Sequence, residues 1–290
     1  MFAGSHVAIV TPFRKGKVDE RALSDLIEWQ IAQGTDGIVP CGTTGESATL
    51  SHEEHNRVIE LTVEVVNRRV PVIAGTGSNS TDEAISLTKH AKEAGADGAL
   101  LITPYYNKPT QEGLYRHYKA VAEAADIPIV LYNIPGRTGV NMLPATIARM
   151  ASIKNIVGVK EGSGSVQQAS DLVQMCGDRF TVLAGDDALT LPMMAVGGKG
   201  VITVTANLLP ADMANLVKAF AAGRVEEARR IHFKLSPLFA TLFIETNPIP
   251  VKEALGMMGK IDPELRLPLC PMSQENREKL ARVLKDSGLI

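Results

Sequence analysis

Residues 129–160, IVLYNIPGRTGVNMLPATIARMASIKNIVGVK, contain one complete copy of the pattern that decides the fold. The segment begins with the short apolar run IVLYN (129–133), continues through a loop and a helical stretch, and ends in IVGVK (156–160). A short β-branched run, a longer helix and a second such run are typical of a βαβ unit. Because the runs are apolar almost throughout, we expect a parallel sheet that is covered on both faces.

The same pattern occurs eight times along the chain, at intervals of roughly 20–35 residues, the length of one βα unit. Eight units that each begin with a strand favour a closed (β/α)₈ TIM barrel over an open doubly wound sheet, and no G-x-G-x-x-G follows the first strand. The predicted strands are HVAIV (6–10), GIVPC (37–41), PVIAG (71–75), ALLIT (99–103), IVLYN (129–133), IVGVK (156–160), TVLAG (181–185) and VITVT (201–205).

The residues after the eighth strand are predicted to be helical. The helices are expected at about 211–222, 225–243, 248–258 and 274–287. The first of them completes the barrel, so we predict a barrel over residues 1–223 and a C-terminal helical extension over residues 224–290 that packs on it.

Local signals mark where several helices begin and end. Ser51 with Glu54, and Ser80 with Glu83, match the S/T-x-x-E capping box, in which each side chain accepts a hydrogen bond from a free backbone amide at the start of the helix. Glycine tolerates the positive φ that commonly follows a helix. Three glycines stand at predicted helix ends: Gly34, Gly95 and Gly177.

The composition excludes several classes of protein. A net charge of −2 gives no electrostatic basis for binding nucleic acid or an anionic membrane, and an apolar fraction of 45% supplies a sizeable core. We find no apolar run of the roughly 18–20 residues that a membrane span needs, and no signal peptide. The three cysteines (41, 176 and 270) lack C-x-x-C spacing, and the histidines of HEEH (52–55) lack the spacing of a zinc site. We therefore expect a cytoplasmic protein without a metal.

Lys160 is the first candidate for chemistry, because active sites of β/α barrels lie at the carboxyl ends of the strands. Side chains alternate along a strand, so Ile156, Gly158 and Lys160 are predicted to share one face. If that face is the barrel interior, the amine lies at the mouth of an apolar tube, where desolvation favours the neutral form that attacks carbonyl groups. Alternatively, Lys160 reaches solvent or pairs with a carboxylate.

Tyr132 closes the fifth strand and is predicted to share an inward face with Val130, beside Lys160. A hydroxyl in this position could shuttle protons while a carbinolamine forms and loses water. The alternative is an amphipathic ring that fills the top of the barrel.

The GTTGE stretch (42–46) follows the second strand, and its glycines allow backbone amides to converge on a carboxylate or phosphate. The alternative is a tight βα turn. Together with a buried lysine, this nest fits a 2-keto acid. Arg137, on the loop after the fifth strand, could hold a second carboxylate, or it could be a solvated loop residue.

Four motifs together resemble one family: GTTGES (42–47), TPYYNKP (103–109), YNIPGRTG (132–139) and VGVKEGSG (157–164). They are similar, in order and spacing over the whole chain, to the 4-hydroxy-tetrahydrodipicolinate synthase (dihydrodipicolinate synthase) family of lysine Schiff-base aldolases. The resemblance implies that Lys160 forms a Schiff base with pyruvate. It also implies a proton relay of Thr43, Tyr132 and Tyr106, in which Tyr106 enters the neighbouring subunit's site.

The resemblance implies further roles. Thr44 would bind the pyruvate carboxylate, Arg137 would recognise aspartate semialdehyde, and backbone groups at Gly185 and Ile202 would line the pocket. The implied protein is a homotetramer, a dimer of dimers, that makes a lysine precursor in the diaminopimelate route and needs no cofactor. Lysine would be an effector at the dimer interface, bound by Ser47, Ala48, His52, His55, Asn79, Glu83 and Tyr105.

Three other interpretations compete with this one. Sister class I aldolases, such as N-acetylneuraminate lyase and 2-keto-3-deoxy sugar acid aldolases, would share Lys160 and Tyr132. The presence of both Tyr106 and Arg137 favours the synthase. A non-catalytic barrel is disfavoured because every catalytic position is filled. A phosphate-binding barrel would use the glycine-rich loops at 162–164 and 197–200, which are more simply tight turns.

Overall fold

The computed structural model describes residues 1–290 and contains an eight-stranded parallel barrel. Neighbouring strands pair in the order β2-β1-β8-β7-β6-β5-β4-β3, and a parallel bridge between Ile38 and Val72 joins β2 to β3 and closes the ring. The predicted TIM barrel is therefore confirmed. The barrel strands are β1 (Gly4–Ala8), β2 (Gly37–Val39), β3 (Ile73–Gly75), β4 (Gly98–Ile102), β5 (Ile129–Asn133), β6 (Ile156–Glu161), β7 (Thr181–Ala184) and β8 (Gly200–Thr203).

Helices alternate with these strands and continue past the eighth. The helices are α1 (Glu20–Ala32), α2 (His52–Val66), α3 (Thr81–Ala94), α4 (Gln111–Ala124), α5 (Pro135–Thr138), α6 (Pro144–Met150), α7 (Val166–Cys176), α8 (Thr190–Ala195), α9 (Pro210–Ala221), α10 (Val225–Thr241), α11 (Ile249–Met257) and α12 (Gln274–Asp286). The four C-terminal helices match their predicted bounds to within two residues. An antiparallel hairpin at residues 13–18 was not predicted, because its two-residue strands are too short to show an alternation.

The two predicted capping boxes have different outcomes. At α2, the Ser51 hydroxyl accepts from Glu54 N–H, and the Glu54 carboxylate accepts from Ser51 N–H, so the box is complete. At α3, the Ser80 hydroxyl accepts from Glu83 N–H at 3.5 Å, but the Glu83 carboxylate bonds to Ser78 and His52 instead. The predicted second half of that box is wrong, since Glu83 has stronger partners outside the helix.

Two apolar clusters make up the core. The larger one lies between the strands and the helices, and it includes residues of the extension such as Leu238 and Leu255. Because this cluster is continuous across residue 223, the division into two parts stays a prediction. The smaller cluster fills the barrel and consists of Ala8, Val39, Ile73, Leu100, Val130, Tyr132, Leu183 and Ile202. None of the helices combines the length and apolar composition that crossing a membrane requires.

A bulge in β6 changes which residues face the barrel interior. Ile129 pairs with Ile156, but Val130 pairs with Gly158, so Val157 is an extra residue. As a result, Ile156 belongs to the outer cluster and Val157 packs against the inner one. The predicted shared face of Ile156 and Lys160 is wrong, since strict alternation does not continue through a bulge. Tyr132 pairs directly with Lys160, and both face inward.

Candidate active site

Lys160 lies near the carboxyl end of β6, between Tyr132 of β5 and Leu183 of β7. Only 6% of its surface is exposed. Its Nζ lies 4.2 Å from the centre of the Tyr132 ring, and no carboxylate oxygen comes within 4.0 Å of it. The amine therefore forms no ion pair, and the side chain that carries it is largely buried. Because an unpaired buried amine is costly, its retention here indicates a chemical role.

A small cavity opens beside this amine. It collects six residues predicted from the sequence, which reach it from four different strand ends. Of the two predicted backbone positions, Gly185 lines the cavity, whereas Ile202 lies in the apolar cluster and Val204 takes its place in the wall. The full lining is Ala8, Val39, Gly42, Thr43, Thr44, Leu100, Tyr132, Ile134, Arg137, Lys160, Gly185, Val204, Phe243 and Asn247.

The loop that follows β2 carries two of the polar groups in this cavity. It turns back on itself, so that Gly45 N–H donates to the Gly42 carbonyl and Glu46 N–H donates to the Thr43 carbonyl. The amides of Thr43 and Thr44 have no backbone acceptor and remain free for a ligand. The loop is thus an incomplete hydrogen-bonded turn whose two free donors match a carboxylate.

Contacts from elsewhere in the chain hold this loop. The Thr11 hydroxyl donates to the Gly45 carbonyl at 2.7 Å, and Asn247 Nδ2 donates to the Thr44 hydroxyl at 3.0 Å. A side chain at Gly45 would meet the backbone nitrogen of Cys41 at 3.1 Å, so only glycine fits easily. The sequence reasoning missed Asn247, because this residue lies in the extension and is distant along the sequence from every strand end.

Arg137 lies on the short helix α5 and lines both this cavity and a larger one next to it. Its guanidinium donates to the Asn247 carbonyl at 3.1 Å, which directs the exposed side chain across the cavity entrance. A second carboxylate entering the cavity would meet this cation first.

Glu161, next to Lys160, was also missed as a positioning residue. Its side chain is 1% exposed and accepts from Ser163 N–H at 2.6 Å, from Gln168 Nε2 at 2.9 Å and from Asn133 Nδ2 at 3.1 Å. Since the bonds reach β5 and α7, they fix the end of β6 and with it the position of Lys160. An acidic residue inside an apolar strand is the signal that could have revealed it.

Tyr106 is the predicted catalytic residue that this chain does not bring to Lys160. It is 89% exposed and has a φ of 70°, a left-handed conformation that non-glycine residues rarely adopt. Its neighbour Tyr105 is 38% exposed.

A second cavity, of about 490 Å³, adjoins the first and contains six of the seven residues implied for a lysine effector. These are Ser47, Ala48, His52, His55, Glu83 and Tyr105. The seventh, Asn79, is not in the wall, but its amide donates to the Tyr105 carbonyl at 3.2 Å. Thr43 and Arg137 also line this cavity, so the two cavities share residues.

The electrostatics of the larger cavity favour a cation. Hydrogen bonding from Ser78 lowers the pKa of Glu83, which His52 contacts at 2.8 Å, so this carboxylate is ionised at neutral pH. Burial lowers the pKa of His55 to about 4, and its Nε2 bonds to the Gly75 carbonyl, so this histidine is neutral. Burial raises the pKa of Tyr105, which keeps its hydroxyl protonated.

Comparison with known proteins bears on this site. The family model of the dihydrodipicolinate synthetase family matches residues 1–287. The 4-hydroxy-tetrahydrodipicolinate synthase of Thermodesulfovibrio yellowstonii is 64% identical over 290 residues, and that of Syntrophus aciditrophicus is 65% identical over 290 residues, with all of each chain covered.

Solved structures agree with these relatives. The dihydrodipicolinate synthase of Acinetobacter baumannii, complexed with pyruvate, is 51% identical with a TM-score of 0.98 and full coverage of both chains. That of Cyanidioschyzon merolae, with lysine bound, is 40% identical with a TM-score of 0.96 and covers 100% of this chain and 99% of its own. The expected family is confirmed: this chain belongs to the dihydrodipicolinate synthetase family.

Proposed function

We propose that this chain condenses pyruvate with (S)-aspartate-4-semialdehyde through an imine on Lys160, in the diaminopimelate route to lysine. The family places the chain among the lyases, and its full-length relatives are named as synthases of the expected product. The observation that carries the chemistry is the buried, unpaired Lys160 amine, which shares one cavity with the free amides of Thr43 and Thr44.

The first half of the reaction forms the imine. The pyruvate carboxylate binds the amides of Thr43 and Thr44 and the Thr44 hydroxyl, which presents its carbonyl carbon to Lys160 Nζ. The amine attacks this carbon, the carbinolamine receives a proton on its oxygen, and water leaves. Tyr132, whose ring contacts the amine, is the nearest member of a proton relay that also includes Thr43.

The second half forms the carbon–carbon bond. The protonated imine withdraws electrons, so a methyl proton leaves and an enamine forms. The enamine carbon attacks the aldehyde of aspartate semialdehyde, whose carboxylate binds Arg137 at the entrance. The amino group of the second substrate then displaces Lys160 Nζ and closes the ring. These steps use only side chains and substrates, and we propose no metal or organic cofactor.

Reduction of the enzyme with borohydride in the presence of pyruvate tests this mechanism. We expect a stable adduct on Lys160, found by peptide mass spectrometry, and none in a Lys160→Ala variant. The exposed Lys234 serves as an internal control that should stay unmodified. Turnover with aspartate semialdehyde, but not with a sugar aldehyde, would separate the synthase from the sister aldolases. An unmodified Lys160 would rule out the imine.

Tyr106 is proposed to complete the relay in a neighbouring subunit. Its 89% exposure and left-handed backbone support a role outside its own chain, and the proposed assembly is a homotetramer built from dimers. Mixing Tyr106→Phe and Lys160→Ala subunits tests this role, because a mixed dimer would contain one site with both residues intact. Recovered activity is expected, and a mixture as inactive as its components would contradict it.

The larger cavity is proposed to bind lysine as an inhibitor. The ionised Glu83 supplies a counter-charge for its ammonium groups, and a relative has been solved with lysine bound. Millimolar lysine should slow the wild-type enzyme and should have little effect on a Glu83→Gln variant. Unchanged initial rates in the wild type would contradict this proposal and leave the imine mechanism intact.

The three free cysteines agree with a cytoplasmic location.

A further inference from the structure

The most deeply buried ion pair of the molecule lies directly behind the β2 loop, which we define as residues 40–50. Lys252 Nζ donates to Glu46 Oε1 at 2.6 Å, and the two side chains are 0% and 1% exposed. Lys252 also donates to the Thr11 carbonyl at 3.0 Å and lies 4.2 Å from the centre of the Phe13 ring. The reaction proposed above uses neither charge. Burying both is expensive, so a purely structural role would be served as well by apolar residues.

The β2 loop depends on support from outside. Cys41 and Glu46, at the two ends of its turn, both have a φ of 54°. Non-glycine residues hold this conformation only where surrounding contacts impose it. Between these two residues lie Thr43 and Thr44, which line the cavity beside Lys160 and whose amides have no backbone acceptor. The geometry of the donors therefore depends on what holds Glu46.

Much of that support comes from the C-terminal extension. Lys252 belongs to α11 of the extension, and its bond to the Thr11 carbonyl links it to the residue whose hydroxyl holds Gly45. The second oxygen of Glu46 accepts from Arg266 N–H at 3.2 Å. The Arg266 guanidinium in turn contacts both carboxylate oxygens of Glu54, at 2.5 and 2.6 Å, at the start of α2. The extension thus contacts the loop behind the turn and at its exit.

We propose that Lys252 is a positioning residue, and that its pair with Glu46 holds the Thr43 and Thr44 amides in the geometry that binds the substrate carboxylate. The C-terminal extension is then part of the active site, although the Lys252–Glu46 pair itself does not contact the substrate. The proposal rests on the proposed function for its kinetic consequence only. Its structural consequence, a fixed β2 loop, can be measured without any substrate.

Four variants separate positioning from stability. Lys252→Met leaves a buried Glu46 charge without its lysine, and Glu46→Gln with Lys252→Met removes both charges. Lys252→Arg keeps the cation, and Lys234→Met, from an exposed pair with Asp212, is the matched control. Each is assayed for thermal unfolding, for KM and kcat with pyruvate, for the rate of borohydride trapping, and for amide exchange of peptides covering residues 41–50.

We expect the double variant to regain most of the thermal stability lost in Lys252→Met, because it leaves no buried charge without its counter-ion. Its KM for pyruvate should nevertheless stay raised, its trapping should be slower by about 10- to 100-fold, the effect of misplacing a group by ~1 Å, and its loop amides should exchange faster. Lys252→Arg should recover part of the affinity, and the Lys234→Met control should behave as the wild type.

The opposite results would overturn the proposal. A double variant with wild-type KM, trapping rate and loop exchange would show that the pair contributes nothing beyond stability. If Lys252→Met does not fold, the double variant and Lys252→Arg still distinguish a positioning role from a purely stabilising one. If wild-type enzyme forms no imine at all, the proposed function fails, and the exchange of the β2 loop still tests whether Lys252 holds it.

Discussion

Two loops at the carboxyl end of the barrel, the β2 loop and the loop after β4, have the same local peculiarity and opposite surroundings. The β4 loop is defined here as residues 103–110. The β2 loop places Cys41 and Glu46 at positive φ, and the β4 loop does the same with Tyr106 and Lys108. Left-handed backbone costs about 1–2 kcal/mol per non-glycine residue, so both loops need compensation.

The β2 loop finds its compensation within the chain. Glu46 is buried against Lys252, Gly45 is held by Thr11, and Thr44 is held by Asn247. The contacts with Lys252 and Asn247 join the loop to residues about 200 positions away in the sequence. The loop is therefore complete in a single subunit.

The β4 loop has few such contacts. Tyr106 is 89% exposed, and near it the side-chain bonds run from Asn79 to the Tyr105 carbonyl and from Asn107 to the Asn79 carbonyl. At the two ends of the loop, the Thr103 hydroxyl donates to the Tyr132 carbonyl and the Thr110 hydroxyl accepts from Gly113 N–H. A strained loop with a large exposed aromatic tip is what a contact between subunits would compensate. The comparison teaches that the chain itself builds the loop that carries Thr43, whereas the loop that carries Tyr106 has little support within the chain, as the proposed contact with a second copy would explain.

The largest effect is expected from opening the β2 loop. Lys252→Met should lower the free energy of unfolding by about 3–5 kcal/mol, because it leaves the Glu46 carboxylate buried without its main counter-ion. Urea unfolding at pH 7 measures this loss. A loss no greater than that of the exposed-pair control Lys234→Met would mean that the pair does not hold the loop.

The helices that follow the two loops, α2 and α4, each contain a buried histidine, and the effect of these histidines on stability can be compared by lowering the pH. Burial lowers the pKa of His55 on α2 and of His117 on α4 to about 4 in each case, so both stay neutral in the folded protein. The unfolded chain protonates them below about pH 6.5, so each should cost about 2–3 kcal/mol of stability as the pH falls from 7 to 4.

Urea unfolding across this pH range tests both histidines. His117→Gln and His55→Gln should each flatten the acid loss of stability by a similar amount, although His55 lines the larger cavity and His117 lines neither of the two cavities described above. If a variant's unfolding free energy falls with pH in parallel with that of the wild type, the pKa of the substituted histidine is not lowered in the folded protein.

The capping residues give a smaller contrast. Ser51→Ala, after the β2 loop, removes one half of a complete capping box and should cost about 1 kcal/mol. Thr110→Ala, at the last residue of the β4 loop, removes a single bond from Gly113 N–H at 3.2 Å and should cost less. Thermal unfolding of the two variants side by side measures the difference, and equal losses would show that the second arm of the box contributes nothing.

The smallest effect on the single chain is expected at the tip of the β4 loop. Tyr106→Ala should change the unfolding free energy of the dissociated chain by less than about 0.5 kcal/mol, because an exposed side chain has little packing to lose. The same change should weaken self-association, as sedimentation at decreasing concentration would show. A large loss of stability in the dissociated chain would mean that Tyr106 packs within its own subunit.

Much of the fold follows from the sequence alone. Eight apolar runs with helices between them predict the barrel, since the period of hydrophobicity is a local property that each segment carries. Lys160, Tyr132, Thr43 and Thr44 were placed correctly at one end because the carboxyl ends of parallel strands meet there. Arg137, which the sequence placed on the loop after the fifth strand, does line the cavity, and the family motifs added only the substrate that it would recognise.

The tertiary structure decided what local patterns could not. The bulge at Val157 changed the face on which Ile156 lies, because register depends on the neighbouring strand. Glu83 left its predicted capping role for Ser78 and His52, which approach it from outside its helix.

The strongest dependence on tertiary structure lies at the β2 loop. Asn247 and Lys252 support it from the extension, and no sequence pattern links residues so far apart, since only the folded chain brings them within hydrogen-bonding distance. The sequence by itself therefore determined the barrel and the amine at its mouth. The packing of the extension decided how the turn of Thr43 and Thr44 beside that amine is held.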